Sequence, residues 1–226
     1  VSTAFDELLA AIWRGHDPYA GFDEAAHAPD RQGWNSRHPY LADAVATLRP
    51  RIIVEVGVWK GGSVLTMADA LRDHGVDGCI VAVDTWLGSV EHWRARQFPD
   101  NLAIRHGQPG LMGIFMGNVI RAGHARRVIP LPLDSVNASA LLRACRVAPD
   151  LLHIDAGHDQ RSVVADLEQW WPMLKPGGML IGDDYNPAPS PHWAEVRQGF
   201  DEVFGRLGLT PLENAAGKCR VSKPLA

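Results

Sequence analysis

The sequence predicts an α/β domain built on a doubly wound, mostly parallel sheet. The first observation behind this is a set of short, mainly apolar runs at 52–56, 79–84, 151–155 and 179–181, apolar at successive rather than alternating positions, which read as strands buried on both faces. The second is that helical periods separate these runs, the pattern of repeated strand–helix–strand units. The third is that glycines and carboxylates gather just after each run, at the carboxyl ends of strands where such sheets bind their ligands.

At 226 residues, 46% hydrophobic and 21% charged, the chain has ordinary globular composition and enough length for one substantial core, so 1–226 reads as a single domain. Its 22 Lys and Arg against 26 Asp and Glu give a formal net charge of -4, without the basic excess that binding a phosphate backbone needs. Nucleic acid is not an expected partner. Cys79, Cys145 and Cys219 form no C-x-x-C pair, which argues against a disulfide framework or a zinc knuckle and fits a reducing compartment. No apolar run approaches the ~20 residues that span a bilayer, so the expectation is a cytoplasmic protein with no membrane partner.

Residues 1–50 read as an N-terminal cap. A short amphipathic segment around Phe5, Leu8, Leu9 and Ile12 precedes a loop-like stretch at 15–39, rich in Pro, Gly, His and Asp, and a helical pattern at 40–48. Trp34 and Tyr40 in polar surroundings suit either a cover over a ligand or anchors that pin the loop to the core. The core occupies 51–185. Its first strand leads through a glycine-rich turn into a helix at 63–74, with Val64, Leu65, Ala68 and Leu71 on one face. The interval 86–126 is long for one connection and carries Trp93, Phe98, Phe115 and Met116, so it reads as a mostly helical insertion over the ligand crevice.

A strand at 127–133, weakened by its prolines, and a helix near 139–145 follow. The strand at 151–155 then precedes a helix carrying Val163, Val164, Leu167, Trp170 and Trp171 at i, i+1, i+4, i+7 and i+8. The last segment, 186–226, holds a proline-rich loop at 186–191 placed to frame a substrate and a helical pattern at 192–207. It ends in an antiparallel strand pair within 210–223 that turns at 214–217.

The turn Glu55-Val56-Gly57-Val58-Trp59-Lys60-Gly61-Gly62-Ser63 joins the first strand to a helix. Glycine lets backbone approach a ligand closely, and a helix N-terminus offers unpaired N–H groups. A Walker A loop ends in Gly-Lys-Ser/Thr, whereas here Gly62 directly precedes Ser63 and Lys60 comes too early to reach a β-phosphate. A dinucleotide fingerprint needs a glycine where Val58 and Trp59 stand. With Asp84 closing the second strand, the turn resembles the cofactor site of the class I S-adenosylmethionine-dependent methyltransferases, a resemblance that spans 51–185.

That resemblance implies a Rossmann-like methyltransferase fold on a seven-stranded sheet. It implies that Glu55, Gly57, Gly61 and Ser63 form the cofactor-binding turn, with Gly57 and Gly61 under the methionine part of S-adenosylmethionine. Asp84 would hold the ribose hydroxyls, and Asp134 and Ser135 would lie beside the adenine. A carboxylate suits a ribose because it accepts from two vicinal hydroxyls at once, although Asp84 equally suits a cap after a strand.

A second constellation joins His153-Ile154-Asp155-Ala156-Gly157-His158-Asp159 to Gly182-Asp183-Asp184-Tyr185. In a parallel sheet these strand ends can be neighbours, which would bring the carboxylates together, and like charges so close are costly unless a proton or cation sits among them. All-oxygen ligands point to Mg²⁺, with Mn²⁺ or Ca²⁺ as alternatives. Structural roles compete: Asp183-Asp184 as a turn, His158-Asp159 as a helix cap, and His153 as a core strand residue. The stretch resembles the metal-dependent O-methyltransferases of macrolide sugars and the cephalosporin-hydroxylase-like proteins. The resemblance implies that Asp155, Asp183 and Asp184 hold Mg²⁺ against a pair of substrate oxygens while His158, or else the carboxylate of Asp155, takes the hydroxyl proton. Ala156-Gly157-His158-Asp159 departs from the commoner Gly-Asp and hydrophobic residue of that branch, which bears on the substrate.

The expectation is a Mg²⁺-assisted O-methyltransferase acting on a small polyhydroxylated acceptor such as a deoxysugar of a natural product. A catechol or other phenol is the alternative acceptor, and a non-catalytic protein that kept the cofactor pocket is the alternative class. The aromatic residues of 86–126 suit a substrate lid or a subunit contact in a homo-oligomer.

Overall fold

The computed structural model describes residues 2–186, 193–213 and 217–225. Two helices, α1 (Ala4–Trp13) and α2 (Pro39–Leu48), precede the sheet. The chain then runs β1 (Ile52–Val56), α3 (Gly62–Asp73), β2 (Cys79–Val83), α4 (Val90–Arg94), α5 (Phe98–Asn101), α6 (Leu111–Arg121) and β3 (Val128–Leu131). It continues through α7 (Ser135–Ala144), β4 (Leu151–Ile154), α8 (Gln160–Trp170), β5 (Met179–Gly182), α9 (Ala194–Leu207), β6 (Leu212–Glu213) and β7 (Cys219–Ser222). The strand order is β3-β2-β1-β4-β5-β7-β6, with β1 to β5 parallel and β7 antiparallel to both its neighbours.

The apolar runs are continuous because successive side chains serve two cores. Val54, Val56, Val81 and Val83 belong to one cluster with residues of α1, α7, α8 and α9, whereas Ile53, Ile80 and Ala82 belong to the other, with residues of α2, α3 and α6. Pro130 is tolerated in β3 because that strand has only β2 as a neighbour, and the Trp13 indole donates to the Pro130 carbonyl on the other side (3.0 Å).

Two expected boundaries shift for identifiable reasons. The helix expected near 139–145 starts at Ser135, because Asp134 caps it by accepting from the Asn137 N–H (3.0 Å). The interval 86–126 is only partly an insertion. Helices α4 and α5 are short and peripheral, but α6 is an integral layer helix with Phe115 and Val119 fully buried. The proline-rich loop expected at 186–191 and the turn expected at 214–217 fall, apart from Asn186 and Gly217, outside the described residues. No helix among the described residues is long and apolar enough to cross a membrane.

β1 is flanked by β2 and β4, so the chain departs in opposite directions from its two sides and leaves a crevice at the carboxyl ends. Gly57 sits at that point with φ +86°, its N–H donating to the Val83 carbonyl (2.9 Å), while the Asp155 N–H donates to the Val56 carbonyl (2.8 Å). A Cβ on Gly57 would lie 1.8 Å from the Asp155 carbonyl oxygen. Gly57→Ala is therefore expected to destabilise the fold by about 2–5 kcal/mol, summing backbone and overpacking costs. Gly75→Ala, at φ +58° with nothing within 4 Å, isolates the backbone cost alone and is expected to lose about 1–2 kcal/mol. Urea denaturation of both variants measures the difference.

Candidate active site

A cavity of ≈ 840 Å³ opens over the carboxyl ends of β1, β2, β4 and β5. The glycine turn and Asp84 line one side, and Asp155, His158, Asp183 and Asp184 line the other. Residues 33–36 of the N-terminal loop and residues of α4 complete the wall.

On the first side the expected residues divide. The Asp84 carboxylate accepts the backbone N–H groups of Val58 (2.8 Å), Trp59 (2.9 Å) and Trp86 (2.7 Å), so it holds the turn in shape. Burial pushes its pKa up against the pull of these N–H groups. A carboxylate offers about four lone-pair directions, so three bonds leave one for a ligand hydroxyl. Gly61 does not line the cavity: it caps α3 at φ +87°, where a Cβ would strike Phe115 at 2.7 Å, and Gly62 takes the place at the wall expected for it. Glu55 also lies behind the wall, fully buried, and receives the hydroxyl of Ser63. Asp134 lines the cavity as the cap of α7. Ser135 lines it too, with its hydroxyl donating to Asp166 and accepting from the Trp170 indole (2.8 Å), so the hydroxyl proton is used within the protein. Lys60 turns away from the cavity to pair with Asp30 (2.6 Å).

On the second side the adjacency of β4 and β5 brings Asp155, Asp183 and Asp184 together, as expected. Asp183 is also heavily engaged within the protein. Its Oδ2 receives the ammonium of Lys218, and its Oδ1 accepts from Asn35 Nδ2 (3.2 Å) and the Asp184 N–H (2.9 Å). Burial raises the Asp183 carboxyl, but Lys218, His153 and the Asp184 N–H outweigh it and hold it below the usual carboxylate range. Lys218 is fully buried and was not legible in the sequence, because it arrives from the end of the chain and carries no motif; nor was Asn35, which comes from the N-terminal loop.

Asp155 and Asp184 behave differently. Burial, with the charges of Asp183 and Asp184, pushes the Asp155 carboxyl well above its usual range, and burial with Asp183 raises Asp184 to about 6. Asp184 sits at φ 53° and places its Oδ2 3.5 Å from His158 Nε2. His158 stacks on Trp193 at 4.1 Å, and its Nδ1 is 4.0 Å from Glu91 Oε2. Burial lowers the imidazole pKa, so the ring is neutral near pH 7, while Glu91, Asp183 and Asp159 oppose that shift. Asp155, His158 and Asp184 offer ligand atoms within 4.8 Å of one another.

Two aromatic residues of the cap take different parts. Tyr40 is a buried anchor, with the Arg220 guanidinium 4.3 Å over its ring, whereas Trp34 is 66% exposed and lines the cavity. Trp34 stands 6.2 Å from Trp59, which stacks on His92 at 4.1 Å.

The residues fit both groups that the fold family implies. The cavity is large enough for a nucleoside-sized cofactor and keeps an open acceptor at Asp84. Two carboxylates with raised pKa beside a neutral imidazole form a donor set for which a cation would relieve the like-charge cost.

A family model for a methyltransferase domain matches residues 54–185. Over 151 residues, 67% of this chain, the sequence is 28% identical to the uncharacterized protein y4gI of Sinorhizobium fredii, and it spans 15% of that protein's length. Among solved structures, an O-methyltransferase from Bacillus cereus in complex with SAH aligns with a TM-score of 0.56 at 18% identity, covering 98% of both chains. The O-methyltransferase TomG from Streptomyces achromogenes, involved in tomaymycin synthesis and complexed with SAM, aligns with a TM-score of 0.56 at 17% identity, covering 98% of this chain and 96% of its own. At these identities the likeness is one of fold.

Asp166, behind Ser135, supplies a pH test of this wall. Burial raises its pKa from 3.8 to about 6, with the Ser135 hydroxyl pulling it down and Asp159 pushing it up. A carboxyl raised on folding contributes stability that is full below pH 3.8 and lost as pH rises through about 6. Asp166→Asn keeps the acceptor for Ser135 and removes the charge, so it is expected to match the wild type near pH 4 and exceed it by about 2–3 kcal/mol at pH 7.5. Urea denaturation across that range measures it.

Proposed function

We propose that this chain, which belongs to the methyltransferase-domain family matched over residues 54–185, transfers a methyl group from S-adenosylmethionine to a hydroxyl of a small polyhydroxylated acceptor, with Mg²⁺ assistance. The observation that carries the reading is a single cavity with Gly57 and Asp84 on one wall and Asp155, His158 and Asp184 on the other. When bound, S-adenosylmethionine supplies an electrophilic methyl group, and a divalent cation supplies Lewis acidity toward the acceptor oxygen.

The chain's own residues supply the rest. Asp84 stabilises the turn and keeps an acceptor for a ribose hydroxyl. Asp155 and Asp184 would hold the cation, and His158 would accept the acceptor's hydroxyl proton at Nε2. Its lowered pKa keeps it unprotonated at neutral pH, and the carboxylates of Glu91, Asp183 and Asp159 favour the imidazolium once the proton arrives. Stacking on Trp193 orients the ring. A sugar of a natural product is the acceptor we favour, since vicinal hydroxyls can face two carboxylates and a cation together. A catechol is the second reading, supported by the aromatic rings of Trp34, Trp59 and His92 in the wall. The cysteines form no disulfide among the described residues, which supports a reducing compartment such as the cytoplasm.

S-Adenosylhomocysteine is expected to raise the melting temperature, and Mg²⁺ to raise it further; no shift with S-adenosylhomocysteine would overturn the reading. His158→Gln is expected to lower kcat by about 10²-fold with unchanged S-adenosylhomocysteine affinity. In the wild type the rate falls as pH drops through the His158 pKa, below its ordinary 6.5, and this acid limb is expected to vanish in the variant. A variant of near-normal rate would reassign the proton to Asp155.

A further inference from the structure

Two groupings of side chains at the ends of β4 and β5 have ligand atoms close enough to surround a cation: His153 with Asp155 and Asp183, and His158 with Asp155 and Asp184. Lys218 separates them. Its Nζ donates to Asp183 Oδ2 and lies 3.0 Å from His153 Nε2, so the first grouping already contains a positive charge supplied by the chain itself. Behind His153, Nδ1 is 3.5 Å from Glu55 Oε2, so the ammonium belongs to a fully buried row of side chains beneath the cavity floor. The second grouping lies on the cavity side and holds no cationic side chain among the described residues.

We propose that Lys218 is a positioning residue, the standing counter-ion of Asp183, which withdraws that carboxylate from metal ligation and leaves a divalent cation to Asp155 and Asp184. The inference rests on the metal-assisted reading above and deepens it. With Asp183 balanced by Lys218, the charges of Asp155 and Asp184 match one divalent cation. Asp183 then acts through its neighbour: its Oδ1 accepts the Asp184 N–H and helps hold that residue at φ 53°, with Asp184 Oδ2 on the His158 side. The Asn35 amide on the same oxygen leaves about one lone-pair direction of Asp183 unused.

The test is Mn²⁺ binding by the full chain in the presence of S-adenosylhomocysteine, followed by electron paramagnetic resonance and by thermal shift. Asp184→Asn is expected to weaken Mn²⁺ binding by about 10-fold or more, at least the loss that follows removal of an outer-shell partner. The double variant Asp183→Asn/Lys218→Met removes the buried pair together and so leaves no unpaired charge. Because Asp183→Asn retains a side-chain oxygen to accept the Asp184 N–H, the double variant is expected to keep its Mn²⁺ affinity within about threefold. Lys218→Met alone leaves Asp183 without its counter-ion, so Mn²⁺ is expected to raise its melting temperature by more than it raises that of the wild type. A folded double variant that loses Mn²⁺ as fully as Asp184→Asn would make Asp183 a ligand and overturn the inference alone, as would Lys218→Met with no enlarged Mn²⁺ shift. A wild type that binds S-adenosylhomocysteine but no Mn²⁺ would overturn the metal-assisted reading, and the inference with it.

Discussion

Gly57 and the carbonyl of Asp155 meet where β1 and β4 end, and no side chain fits between them. This contact holds the glycine turn against the acidic strand end, so the two walls of the cavity descend from adjacent strands of one sheet rather than from separate elements. The left-handed backbone at Gly57 then turns the chain toward Asp84, which gathers three N–H groups of the two loops flanking the crevice. A larger residue at 57 would separate the strands and displace both walls together.

A second constraint is electrostatic. Glu55, His153, Lys218 and Asp183 are all buried, and each is close to the next in a row, with Lys218 bonded to both His153 and Asp183 so that the cost of taking the Asp183 charge out of water is offset by its ammonium. Asp155 and Asp184, beside that row, receive no ammonium or guanidinium at hydrogen-bond distance among the described residues. Burial and like charge therefore raise Asp155 and Asp184, while the same burial at Asp183 is outweighed by Lys218. Similar acids at neighbouring positions thus acquire different chemistry from a single ammonium. His158, facing Asp184 and stacked on Trp193, stays neutral through burial and completes the polar face of the cavity.

Much of the fold was legible because continuous apolar runs have few architectures open to them. Strands that are hydrophobic on both faces need cover on both, and Val54 and Ile53 indeed serve opposite cores. Within the site, the residues expected just after strands, Gly57, Asp84, Asp155, His158 and Asp184, all line the cavity. Which way a residue within the turn or at the wall faces was not legible. Gly61 and Gly62 are indistinguishable as letters, yet only the second faces the cavity; Ser135 reaches the wall with its hydroxyl turned to Asp166.

The sequence by itself determined the order of strands and helices, the glycine turn and the collection of acids at strand ends, because these follow from periodicity and local chemistry. Tertiary structure alone decided how those acids are divided. Lys218 and Asn35 lie 35 and 148 residues from Asp183 along the chain, and no local pattern relates them to it. Only the antiparallel return of β7 beside β5 and the fold of the N-terminal loop over the sheet bring them into contact with that carboxylate. Desolvation then makes those contacts decisive for the charge of Asp183, whose carboxyl is held below the usual range while its neighbours are raised.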